Sequence, residues 1–176
     1  SSDKKGGEGY VIGFSNSFNG NTYRQAMEGY AKEAADALVK TGEVKELIFA
    51  EANQDNNKQI QQIQSFIMQK VDAIIIDPGS ATALTAVVQE ASDAGIPCII
   101  VNDGPIESDA ELCYQISFDA VEQMKTLTDY VANAIGGKGT VIELRGTQGD
   151  AFDAKAHAVH GISHNHSTDG NRILGV

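Results

Sequence analysis

The side chains best suited to chemistry in this sequence lie between Val11 and Arg24, in the stretch VIGFSNSFNGNTYR. A short apolar run, Val11, Ile12 and Phe14, reads as a buried strand. It gives way to Ser15-Asn16-Ser17-Phe18-Asn19-Gly20-Asn21, a polar loop rich in amides and hydroxyls with one aromatic ring. Asn21 or Thr22 is placed to cap a following helix, and Arg24 then falls on its first turn. Amides and hydroxyls supply fixed donors and acceptors to a neutral, polyhydroxylated molecule, and an aromatic face covers its apolar side. With Gly20 as its one glycine, this loop does not have the glycine-rich chemistry of a phosphate cradle.

Other chemistry-bearing residues form weaker patterns. His157, His160 and His164 share one face if their segment is helical, and imidazoles so spaced can hold zinc or nickel. No cysteine or carboxylate completes the set at an obvious position, so the expectation is no cofactor and no dedicated metal site. Asp77 ends a buried strand, as a phospho-acceptor must, but Ser15-Asn16 stand where such a domain needs paired acids. Ser15, Ser80 and Ser117 lack a glycine-flanked nucleophile elbow, and Gly136-Gly137-Lys138-Gly139 lacks the phosphate-loop spacing. The chain does not read as an enzyme.

The elements that must position these residues alternate regularly. A helix over Thr22–Lys40 stops at Thr41-Gly42, and Val44–Ala50 is a second strand. A second helix runs to about Lys70, with Ile60, Ile63, Phe66 and Ile67 on one face. Val71–Asp77 and Cys98–Val101 are continuous apolar runs, the mark of parallel strands covered on both sides. Between them Ala81–Ala94 reads as a third helix. Cys113–Phe118 is a shorter strand, followed from Asp119 by a helix to about Ile135. Beyond it, Thr140–Leu144 reads as a strand, Ala151–Ile162 as a helix, and Arg172–Val176 as the start of another strand. Such alternation predicts an α/β fold with a doubly wound parallel sheet, whose ligands bind at the carboxyl ends of the strands.

Composition narrows the partners. With 176 residues, 41% hydrophobic and 21% charged, the chain is ordinary globular material. A net charge of −11 argues against nucleic acid, which needs a basic face. No apolar run reaches the length of a membrane span. The first residues, SSDKKGGEG, read as a flexible leader of the kind that follows the cleavage site of exported lipoproteins, which favours an extracytoplasmic location. Cys98 and Cys113 read as two thiols acting as small hydrophobes, with a disulfide between neighbouring strands as the alternative.

Four segments, SNSFNGNTYRQAMEG, ANQDNNKQIQQIQSFIMQKVDAIIIDPGS, AGIPCIIVNDGP and IGGKGTVIELRGTQG, resemble the periplasmic solute-binding proteins of ribose-binding type, the receptors of ABC importers. They follow the family's order and spacing from about Tyr10 to Gly149. The resemblance implies two similar lobes with a sugar or polyol trapped between them, and membrane subunits of an importer as partners. It implies ligand contacts from Ser15, Asn16, Phe18, Tyr23 and Arg24 in the opening loop, and from Asn102 and Asp103 after the fourth strand. It divides the chain into a leader (1–9), a first lobe (10–117) and part of a second lobe (118–176). Where the family places an arginine before Gly161-Ile162, this chain reads Ala154-Lys155-Ala156-His157-Ala158-Val159-His160. A second lobe of this length is incomplete, since each lobe is a domain of about 100–150 residues. The partial lobe leaves sheet edges to cover, so a homodimer through it, or disorder beyond about Gly149, is expected. A sensor or chemoreceptor domain of the same fold, and a truncated or metal-associated fragment without ligand function, are the alternatives.

Overall fold

The computed structural model describes residues 9–102 and 105–139. Two compact units divide the chain, residues 1–117 and 118–176. In the first unit five strands alternate with three helices: β1 (Tyr10–Asn16), α1 (Thr22–Thr41), β2 (Val44–Glu51), α2 (Asn56–Gln69), β3 (Ala73–Asp77), α3 (Thr85–Asp93), β4 (Cys98–Asn102) and β5 (Cys113–Ser117). All pairings are parallel, in the order β2-β1-β3-β4-β5. This is the doubly wound α/β arrangement that the alternating pattern predicts. The described part of the second unit is α4 (Ala120–Ala134), capped by Asp119, whose carboxylate accepts from the Glu122 amide.

Local chemistry explains most boundaries. Asn21 takes extended backbone and accepts from the Arg24 amide, capping α1. Gly42, at φ +78, ends that helix in the left-handed conformation and returns its amide to Leu38 and Val39 carbonyls. Asp55 caps α2 by accepting from the Asn57 and Lys58 amides. Three boundaries differ by two or more residues from the sequence expectation, the first being β3, which begins at Ala73 rather than Val71. Ser15 and Asn16 belong to β1 rather than to a loop, because they pair in register with both β2 and β3. Residues 81–84 form turns, and α3 begins only at Thr85; the Ser80 hydroxyl accepts from the Thr82 and Ala83 amides and diverts the chain from helix.

Strand alternation assigns the two faces. Ile74, Ile76, Cys98 and Ile100 lie fully buried in one cluster with Ile63 and Phe66 of α2 and with Val87, Val88 and Ala91 of α3. Gly13 shares that face, and a Cβ there would sit 2.6 Å from the Phe66 ring, so the ring packs directly on the strand backbone. On the opposite face Phe14 meets Phe49 with ring centroids 4.6 Å apart, and the Lys32 ammonium lies 5.0 Å above Phe49. Asn16 and Asp77 stand side by side on this second face at the strand ends.

Cys98 and Cys113 are both free thiols, the first buried and the second half-buried. Burial, reinforced by Cys113, pushes the Cys98 thiol from an ordinary 9.0 to about 12. The folded chain therefore keeps this proton where the unfolded chain loses it. The stabilisation is complete below about pH 9 and drains as the pH climbs toward 12, by up to about 1.4 kcal/mol per unit. Urea unfolding of the wild type should show this alkaline loss, and Cys98→Ala should flatten it. An identical slope in the variant would remove Cys98 as its source.

Candidate functional site

Three parallel strands bring their last residues to one edge of the sheet. Asn16 ends β1, Asp77 ends β3 and Asn102 ends β4. Asn16 and Asp77 are wholly buried and are paired in register. From α1, Arg24 reaches back over them with its side chain 6% exposed. Its Nη1 donates to Asn16 Oδ1 at 3.2 Å and forms an ion pair with Asp77 Oδ2. A charge this buried persists only when paired and hydrogen-bonded. Arg24 is thus not a surface helix residue; the cap at Asn21 sets the turn that aims it inward.

Asn102 completes the network by leaving its strand. Alternation from Ile100 would carry its side chain to the face that α2 and α3 cover. A backbone φ of +72 breaks the alternation, a conformation asparagine tolerates better than most residues. Its Nδ2 instead donates to Asp77 Oδ2 at 3.1 Å, and its Oδ1 accepts from the Tyr23 hydroxyl at 2.7 Å. Tyr23 is itself 55% exposed, so its phenol joins the buried network to the open surface. Two buried atoms of this network stay without a hydrogen-bond partner among the described residues: the donor Asn16 Nδ2 and the acceptor Asp77 Oδ1.

The remaining candidates divide. Ser15 is buried and points the other way, donating its hydroxyl to Gln62 Oε1 of α2 at 3.0 Å. Asn16 and Ser15 therefore lie on opposite faces, and the structure does not bring Ser15 into the arginine network. Phe18 is half-buried against Gly20, where a Cβ would sit 2.1 Å from the ring. Asp103 lies outside the described residues, as do His157, His160 and His164.

Two residues of the site were not among the candidates. Asp77 is the anion that Arg24 needs, and its trace in the sequence is an acid closing the buried run AIIID. Gln59 of α2, also fully buried, donates Nε2 to the Asp77 carbonyl at 2.9 Å and accepts from the Gly79 amide at 3.0 Å. This amide fixes the turn after β3, and a Cβ at Gly79 would meet Asn56 Oδ1 at 2.9 Å. Only helical spacing pointed to Gln59, and it also fits an ordinary surface residue.

The pattern of the family described as periplasmic binding protein domain matches residues 12–158. The chain belongs to that family. It consists of solute-binding proteins rather than enzymes. Among its members, the galactofuranose-binding protein YtfQ of Escherichia coli is 32% identical over 141 residues, which are 79% of this chain and 43% of that protein. A xylitol-binding protein of Mycolicibacterium smegmatis is 35% identical over 118 residues, 67% of this chain and 33% of that one. The crystal structure of an ABC transporter solute-binding protein from Bacillus halodurans with bound myo-inositol superposes with a TM-score of 0.82 at 25% identity, covering 99% of this chain and 58% of that one. The chain thus spans less than half the length of these two relatives.

Asp77→Asn keeps the shape of the side chain and deletes its charge. Removing one partner of a buried ion pair costs on the order of 3–5 kcal/mol. Urea denaturation should register a loss of that size, and a variant as stable as the wild type would show that the pair contributes nothing to the fold.

Proposed function

We propose that this chain is the recognition portion of an extracytoplasmic receptor that captures a neutral sugar or polyol for an ABC importer. The observation that carries the reading is the network of amide, phenol, carboxylate and guanidinium groups at the carboxyl ends of β1, β3 and β4. Such a set presents alternating donors and acceptors, the complement of a ring of hydroxyls. Tyr23 and Asn102 touch the ligand directly, Arg24, Asn16 and Asp77 orient them from beneath, and Phe18 borders the same site; Asp103, outside the described residues, is a further contact of this proposal. Ser15 supports the strand from its other face. The relatives named for galactofuranose and xylitol, and the neighbour holding myo-inositol, support this ligand class.

In this proposal residues 10–117 form a first lobe, 118–176 belong to a second, and the leader 1–9 is a tether, as on an exported lipoprotein. Two lobes closing on a ligand would carry the signal to the importer's membrane subunits, a hinge mechanism. Pairing of two copies through the second unit is part of the same reading. Its support is a stripe on α4 and its C-cap, where Leu127, Tyr130, Val131 and Ile135 are all exposed. Light scattering should return twice the chain mass of 18.7 kDa, and a monomer at every concentration would remove the pairing.

A thermal-shift series of the chain against pentoses, hexoses and polyols tests the ligand class. At a hundred times its dissociation constant, a ligand adds about 2.7 kcal/mol of stability. One sugar or polyol should raise the melting point. Tyr23→Phe should bind that ligand about tenfold more weakly with little change in the melting point of the free protein. A chain indifferent to every neutral sugar and polyol would defeat the proposal.

A further inference from the structure

The two cysteines hold positions that the ligand network does not use. Cys98 opens β4, Cys113 opens β5, and the parallel register sets them directly opposite each other. Opposed residues on neighbouring parallel strands leave the sheet on the same face, from backbones about 4.8 Å apart. That separation lies within the range of about 4.4–6.8 Å between Cα atoms that a disulfide spans. Cys98 already registers its neighbour, since Cys113 adds to the rise that burial imposes on it. Their environments differ in the way a stepwise oxidation needs: Cys98 is wholly buried, whereas Cys113 is half-buried at the edge strand of the sheet.

We propose that Cys98 and Cys113 form a cross-strand disulfide by exchange with a small disulfide oxidant. Cys113, the accessible thiol, loses its proton and its Sγ attacks the oxidant RS–SR. One RS⁻ leaves, and Cys113 is held as a mixed disulfide. Cys98 Sγ, as it gives up its proton, attacks Cys113 Sγ and expels the second RS⁻. Two protein thiols are oxidised, one RS–SR is reduced, and the two released protons convert the leaving thiolates to two RSH. The second step is slow and speeds up with pH, because the thiolate is the attacking form and burial keeps Cys98 protonated.

The bridge would close the segment between the two cysteines, which carries Asn102 and its left-handed backbone. It would also fasten the edge strand β5 to β4 at the end of the sheet opposite the ligand network. In the oxidising compartment where such receptors work, this staple would be the resting form. The chemistry itself does not depend on the ligand assignment, so failure of one leaves the other standing.

The test uses the whole wild-type chain in glutathione buffers of increasing oxidised fraction at about pH 8. Samples are quenched in acid, denatured, alkylated with N-ethylmaleimide and weighed intact. The expected product is a monomer that takes up no maleimide, is about 2 Da lighter than the reduced chain, and yields a linked Cys98–Cys113 peptide on digestion. Dithiothreitol should restore two adducts. Two adducts at every ratio, a glutathione adduct that persists on Cys113, or linkage between chains would each overturn the proposal. Cys98→Ala should stop at the glutathione adduct on Cys113, and Cys113→Ala should react at Cys98 at least tenfold more slowly. Equal rates in the two variants would overturn the assigned order of attack.

Discussion

A guanidinium buried at the end of a parallel sheet is the constraint on which the candidate site depends. Left alone there, Arg24 would be untenable, because desolvating an unpaired charge costs several kcal/mol. The fold meets the demand with the Asp77 carboxylate of β3 and with the side-chain Oδ1 of Asn16. These partners stand together only because β1 and β3 run parallel with Asn16 opposite Asp77. A slip of one residue would turn one of the two side chains to the other face of the sheet. Strand register, apolar packing and site geometry are therefore a single requirement.

The layers beneath the site serve that register. The Phe66 ring packs on Gly13, which fixes the height of α2 over β1. Gln59, one turn from the helix start, then reaches the Asp77 carbonyl and the Gly79 amide. Gln62, a residue further along the same helix, binds Ser15 of β1 and the Glu51 carbonyl of β2. One helix thus holds the ends of three strands through two side-chain amides. Of the four described non-glycine residues with positive φ, Asn53, Gln54 and Asn102 follow or end strands at this edge, and Lys70 caps the far end of α2. Local strain of this kind persists only where surrounding contacts over-determine the conformation, and it gathers at functional sites.

How much of this was legible in the sequence depends on whether a residue acts through its neighbours in sequence or in space. The order of strands and helices, the cap at Asn21 and the stop at Gly42 follow from local chemistry and were readable, whereas the cap at Asp55 emerges only in the structure. So was the polar character of the opening stretch. Ser15 and Asn16 looked like loop residues because both are polar, yet register carries the strand through them and separates their faces. Arg24 was readable as a polar group near the site, but its burial depends on Asp77, which lies 53 positions away in sequence. Asp77 and Gln59 carry no local signature of their roles. Asn102 is implied by the family resemblance; its type suits a left-handed backbone, but nothing local says that its amide joins Asp77 to Tyr23.

The same geometry bears on which solutes suit the site. Pairing Arg24 with Asp77 balances one positive charge against one negative charge inside the protein, so the cation's field is largely contained before any ligand arrives. What reaches the surface is the Tyr23 phenol, tied through Asn102 to that balanced pair. Each group in the chain polarises the next, which strengthens the terminal hydroxyl as a hydrogen-bonding partner without giving it a net charge. Groups held this way lose little freedom when a ligand binds, and preorganisation of that kind is where a small polar ligand gains affinity. A carboxylated solute would gain little from a guanidinium already engaged, whereas a neutral polyol needs only the directional donors and acceptors that the strand ends fix in place. Under the proposed function, charge balance beneath and orientation above together suit hydroxyls better than anions.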